Sequence, residues 1–215
     1  MLRRMWTRAN GTEALIEVDL DSPVASEEYG AAKRHFWHVA LAAQPSGETA
    51  LSATLSVIDK TPTRHAEAMF VGFNPPQAAH AESGSVELHK LGQWLPATRS
   101  LVVDGGSKLL HGVQRGVRVR AASGSPHGET ATGSSMVIEM VDAGVVSLGA
   151  PNGFPVALNA SNPWAPPDVA AHGLSSMLFN NLWGTNYVMW QPYRRAGWEL
   201  PAEANYAFRY RLVWE

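Results

Sequence analysis

Period-two alternation of apolar and polar residues runs through this chain, and it restricts the fold to sheets. Ala14-Leu15-Ile16-Glu17-Val18-Asp19-Leu20-Asp21 sets Glu17, Asp19 and Asp21 on one face of a strand and Ile16, Val18 and Leu20 on the other. Further strands are predicted over Phe36–Leu41, Ala50–Asp59, Ala68–Phe73, Val86–Leu91, Ser100–Asp104, Val113–Arg120, Met136–Val141, Val145–Leu148 and Tyr206–Trp214. Turn signals such as Pro75-Pro76, Asp104-Gly105-Gly106 and Asp142-Ala143-Gly144 separate them. With 19 Gly and 14 Pro breaking 215 residues into short strands, two packed antiparallel sheets are the expected all-β architecture. The one helix predicted, Ser26 to about Arg34, carries Gly30 at its middle. Segments Gln77–Ser85, Ala121–Ser135 and Asn159–Gly173 read as long loops.

Composition narrows the partners. Charged residues are 17% of the chain and the formal net charge is −2, which gives no electrostatic footprint for nucleic acid or an anionic membrane. No apolar run reaches the roughly 18 residues of a membrane helix, so the chain reads as soluble. The basic start Met1-Leu2-Arg3-Arg4 is followed by Ala9-Asn10-Gly11-Thr12 instead of an apolar stretch, so it is not a targeting segment. Cysteine is absent, which excludes disulfides, thiolate metal sites and cysteine nucleophiles.

The densest chemistry lies near the C-terminus. Asn180, Asn181, Trp183, Asn186, Tyr187 and Trp190 crowd amides and aromatic faces around Gly184, in what reads as a strand end, a tight turn and a second strand. Flat aromatic faces beside amide donors and acceptors suit a sugar ring, and these six are the candidate carbohydrate-binding residues. The same side chains equally suit a hydrogen-bonded core corner with both tryptophans buried.

Other candidates are weaker. His35 and His38 present two imidazoles to one side only on a helix, and on a strand they point to opposite faces. Glu17, Asp19 and Asp21 read as a solvated strand face before they read as a metal site. His65 with Glu67, and Glu87 with His89, are same-face pairs that leave open a mutarotase-type acid/base site. Asp59, Asp104 and Asp142 stand beside turn signals, where Asp is structurally expected. No Gly-x-Ser-x-Gly turn and no phosphate-cradling glycine motif occurs. No metal and no cofactor is expected in this chain.

Leu178-Phe179-Asn180-Asn181-Leu182-Trp183-Gly184-Thr185-Asn186-Tyr187-Val188-Met189-Trp190, followed by Tyr206-Ala207-Phe208-Arg209-Tyr210-Arg211-Leu212, resembles the C-terminal end of a poorly characterised family related to the glycoside hydrolase family 38 α-mannosidases. Lys60-Thr61-Pro62-Thr63-Arg64-His65-Ala66-Glu67-Ala68 is similar to that family's Lys-Pro-x-x-Arg-x-x-Glu-Ala stretch. Leu91–Pro96, Lys108–Val113 and Asp142–Val146 follow in the family's order, so the resemblance spans about residues 55 to 215. Asp142-Ala143-Gly144 stands where Asp-Ala-Pro is expected, and Gln191-Pro192 where an acidic or aromatic residue usually follows the tryptophan.

The resemblance implies a single domain over residues 1–215, a β-sandwich of the super-sandwich, galactose-mutarotase-like kind with long loops and little helix, forming the C-terminal part of a longer protein. In such proteins an N-terminal α/β barrel carries the nucleophile and zinc ligands, so none is placed here. Carbohydrate and that barrel are the implied partners, and the chain alone is not expected to be an active enzyme. Trp6 through Leu20 reads as the entry into a mid-domain strand.

Overall fold

The computed structural model describes residues 1–20, 22–27, 31–32, 34–43, 49–60, 67–75, 85–97, 110–120, 135–149, 151, 169–181 and 204–215. Among them are thirteen strands and two short helices: β1 Leu2–Thr7, β2 Glu13–Asp19, α1 Pro23–Glu27, β3 Arg34–Ala43, β4 Thr49–Lys60, β5 Glu67–Phe73, β6 Val86–Lys90, β7 Gln93–Pro96, β8 Leu110–Gly112, β9 Gly116–Arg120, β10 Ser135–Met140, β11 Val145–Leu148, α2 Val169–His172, β12 Leu174–Asn181 and β13 Ala204–Trp214. One sheet has nine strands in the order β1-β2-β3-β4-β13-β10-β9-β6-β7, and the other has four in the order β5-β12-β11-β8. The fold is an all-β sandwich. No helix among the described residues is long and apolar enough to cross a membrane.

The chain forms two compact units. The first holds Met1–Leu41, Ser52–Glu67 and Asn181–Arg209. Its β1-β2-β3 meander is antiparallel, with Met5, Ile16 and Trp37 in one cross-strand row and Leu2, Val18 and His35 in another on the same face. The opposite face carries Arg4, Glu17, Phe36, Trp6, Leu15 and His38. The helix expected over Ser26 to about Arg34 forms earlier and shorter, at Pro23–Glu27, because its start signals lie there. Ser22 caps it by accepting the Ala25 N–H at 3.3 Å, and Pro23 takes the first helical position, where a missing N–H is harmless. Arg34 is extended and opens β3.

The second unit holds Ala42–Leu51, Ala68–Asn180 and Tyr210–Glu215. Here two sheets face each other. Val86, Leu88, Val117, Val119, Met136, Ile138 and Met140 line the inner side of the larger sheet, and Val146, Leu148 and Leu174 belong to the smaller one; all are buried. Tyr210 ties the layers together: its ring meets Phe73 edge-on at 5.1 Å, and its hydroxyl donates to Ser176 Oγ at 3.2 Å. Ser176 Oγ in turn donates to the Ala143 carbonyl, so this polar chain is satisfied within an apolar layer. Burial pushes the Tyr210 phenol up to about 12.

The strand predicted over Val113–Arg120 begins at Gly116, as β9 in the larger sheet, and Leu110–Gly112 ahead of it forms β8 in the smaller one. Strands β1, β7 and β8 and helix α2 have no counterpart among the predicted elements, β12 ends at the predicted strand end Asn180-Asn181, and Ser100–Asp104 lies outside the described residues. Gly116 explains where β9 begins. Its φ is +152°, and a Cβ there would stand 1.9 Å from the Ile138 carbonyl oxygen of β10. Gly173 ends α2 in the same way, at φ +63° with its N–H donating to the Val169 carbonyl at 2.8 Å.

Gly116→Ala is therefore expected to lower the unfolding free energy by at least about 2 kcal/mol, since the clash is with backbone that cannot move aside without breaking the β9–β10 ladder. Urea unfolding followed by circular dichroism measures it, and an unchanged midpoint would mean the two strands are not held this closely.

Candidate functional site

The outer face of the larger sheet, within the second unit, carries the densest ordered chemistry among the described residues. Cross-strand pairing aligns Pro96, Glu87, Arg118, Val137 and Val213 in one row. The next row on that face runs Trp94, His89, Gly116, Glu139 and Arg211. Trp94 leans inward over this face from the edge strand. It does so far enough to pack against the buried cluster Ala50, Val137 and Val213.

Guanidinium groups surround the indole. The Arg118 guanidinium lies over the Trp94 ring at 4.3 Å and that of Arg115 at 5.9 Å, while the His89 ring meets it edge-on at 4.9 Å. Two carboxylates of the face are each shared between two arginines. Glu87 receives Arg118 and Arg120, and Glu139 receives Arg115 and Arg211. Arg118 also reaches Glu215 at 3.2 Å, and Glu215 accepts from the Ser135 hydroxyl. The carboxylates lie beneath: Glu87 and Glu139 side chains are 14% and 15% exposed, against 45% for Arg115 and 53% for Arg120. What solvent meets at these two positions is guanidinium.

Hydrogen-bonding capacity remains on this face. Arg115 uses Nε and Nη2 on Glu139, and Arg120 uses Nε and Nη2 on Glu87, so Nη1 of each has no partner among the described residues. Two buried atoms, Arg118 Nε and His89 Nδ1, have no hydrogen-bond partner among the described residues. An ordered guanidinium layer edged by an indole can hold hydroxyl-rich or anionic ligands through N–H donors.

The sequence candidates are placed as follows. Asn180 and Asn181 are the last two residues of β12. Trp183, Asn186, Tyr187 and Trp190 lie outside the described residues, as do Asp21, His65 and Asp104. Glu67 opens β5. Glu87 and His89 do share one face of β6, but both oxygens of Glu87 are held by guanidinium N–H groups, which leaves it poorly placed to take a proton from a sugar. Asp59, near the end of β4, takes a left-handed conformation at φ 58°, and its N–H donates to Asn205 Oδ1. Asp19 pairs with Arg3 at 2.6 Å. Among the described residues no group of three or more His, Asp or Glu could hold a metal ion.

His35 and His38 fall on a strand and point to opposite faces. His38 is exposed beside Glu13 at 3.8 Å, and His35 is 5% exposed with Nε2 lacking a hydrogen-bond partner. Burial pulls the His35 imidazole below its ordinary 6.5, against the opposing effects of a hydrogen bond to the Val18 backbone and the nearby Asp19 charge.

No protein-family model, no curated protein and no solved structure matches this chain.

Two outcomes follow from this geometry. Glu87→Ala leaves Arg118 buried with half its pairing gone, so it should cost about 3 kcal/mol, while the double change Glu87→Leu with Arg118→Met should recover most of that; chemical denaturation compares them. Burial lowers the folded His35 imidazole below its ordinary value, so its contribution to stability is complete above pH 6.5 and is lost as pH falls below it. Thermal melts should decline from pH 7 to 5, and His35→Gln should flatten that slope; parallel slopes for both proteins would remove His35 as the cause.

Proposed function

We propose that this chain is the non-catalytic C-terminal β-sandwich of a glycoside-hydrolase-like protein, supporting a catalytic barrel and contributing loops to carbohydrate binding. The observation that carries this reading is the commitment of the ordered carboxylates. Glycoside cleavage needs an acid and a second carboxylate, or a metal-assisted equivalent, poised across one bond. Glu87 and Glu139 are each spanned by two guanidinium groups, and Asp19 is paired with Arg3. The order of motifs over residues 55 to 215 supplies the family side of the argument.

A second reading, a stand-alone carbohydrate-binding module, is favoured by one feature of its own. Beside Trp94, half-exposed Arg115 has an N–H group, at Nη1, with no partner among the described residues, which is chemistry that recognises sugar hydroxyls. In either case Asn180, Asn181, Trp183, Asn186, Tyr187 and Trp190 remain the proposed sugar contacts.

A panel of aryl glycosides that includes α-mannosides should show no turnover by the purified chain. Turnover abolished by one carboxylate substitution within these 215 residues would overturn the non-catalytic reading. Retention on a glycan array, lost on Trp183→Ala or on Arg115→Ala, would favour the binding module and say which of the two surfaces is used.

A further inference from the structure

Eight of the twelve large hydrophobic residues exposed among the described residues fall within the first 41: Met1, Leu2, Met5, Trp6, Leu15, Leu20, Val24 and Leu41. Four of them are on or beside β1, where Leu2, Met5 and Trp6 are 61%, 60% and 45% exposed. All six residues of β1 are exposed, and β1 is the edge of the nine-stranded sheet, bonded among the described strands only to β2. An open strand edge with apolar side chains on both faces is a template for another strand.

Charge says which strand fits. Of the three arginines near this edge, Arg3 is neutralised by Asp19 and Arg8 by Glu13. Arg4 has no ion pair or hydrogen bond among the described residues. A bulge at Arg3 leaves Arg4 to Thr7 as the regular stretch, with Met5 and Thr7 facing one way and Arg4 and Trp6 the other. Two antiparallel copies of that stretch, centred on Met5, place Met5 against the partner subunit's Met5. Arg4 then lies across from the partner subunit's Trp6, and the same contact occurs again by symmetry. No arginine opposes an arginine. The one unpaired cation meets an exposed indole, a favourable cation–π pairing, and each methionine gains an apolar neighbour.

We propose that β1 is a self-complementary association edge, through which two copies of this chain pair antiparallel about Met5 and continue the nine-stranded sheet across a two-fold axis. Isologous contacts of this kind are the commonest closed assemblies. Six-residue strands bury little area, so the dimer belongs to the weak, concentration-dependent class, with dissociation on the order of micromolar.

The chain's lack of cysteine makes the test direct. Light scattering of the purified protein over a concentration series should show a monomer–dimer equilibrium. Trp6→Lys, which sets an ammonium against the partner's Arg4, should shift it to monomer by at least tenfold in concentration, with an unchanged circular dichroism spectrum. Opposed Cβ atoms in such a pair lie about 4.5–5.5 Å apart, near disulfide reach, so Met5→Cys should oxidise to a covalent dimer while Leu91→Cys, on the exposed β6–β7 turn, should not. A protein that stays monomeric at all concentrations would overturn the proposal and leave this edge to some other partner. So would a dimer indifferent to Trp6→Lys, or one in which Met5→Cys cross-links no better than Leu91→Cys.

Discussion

Strand β10 is buried on both faces, and the second unit is arranged around that fact. Ser135, Met136, Val137 and Ile138 are all inaccessible. An antiparallel sandwich ordinarily solvates the outer face of each sheet. Here Val137, with Val213 and Ala50, forms a small apolar patch on the outside that must be covered as well. Trp94 supplies the cover from the sheet edge, and this is why a row of charged residues on the same face is ordered: once the indole lies over Val137, Arg118 stacks on it, and Glu87 and Glu215 must neutralise Arg118. The polar layer is thus the outer shell of a second, shallow core.

That arrangement also explains which way the charges face. A carboxylate on a short side chain stays near the sheet, and an arginine reaching over it keeps its stem on apolar surface and its head in water. Glu87 and Glu139 are accordingly sunk, and Arg115 and Arg120 stand above them. Removing one partner of such a pair costs more than the pair contributes, so the layer resists piecemeal change.

Alternation made the strands legible where one face meets core and the other water. Val145–Leu148 matches its predicted bounds, and β4, β5, β6, β10 and β13 fall within two residues of theirs. What alternation could not give is the length of edge strands. Leu2-Arg3-Arg4-Met5-Trp6-Thr7 has no clean period because a bulge shifts its register and because neither of its faces is buried. Gln93–Pro96 is too short to show a period at all, and it becomes a strand through the turn at Leu91 and Gly92, whose φ angles of 50° and 77° suit a two-residue hairpin. Helix α1 starts where Ser22 caps it and Pro23 takes its first position, a local signal that lies ahead of the predicted start at Ser26.

The candidate site was less legible than the fold, for a reason that particular residues make plain. Val113–Arg120 reads as a strand, but nothing in it says that Arg118 is stacked and buried while Arg120 is half exposed. That difference is set by Trp94, which is twenty-four residues away from Arg118 in sequence and two strands away in the sheet. Glu87 and His89 show the converse. Their spacing correctly put them on one face, and the acid/base role considered for them depended on what stood across from Glu87, which only the β6–β9 pairing decides. With Arg118 opposite and Arg120 beside it, the carboxylate becomes an anchor for guanidinium groups. A sheet places side chains in rows that cross the sequence, so function on a sheet face is written in register, and register is the property that single strands carry least.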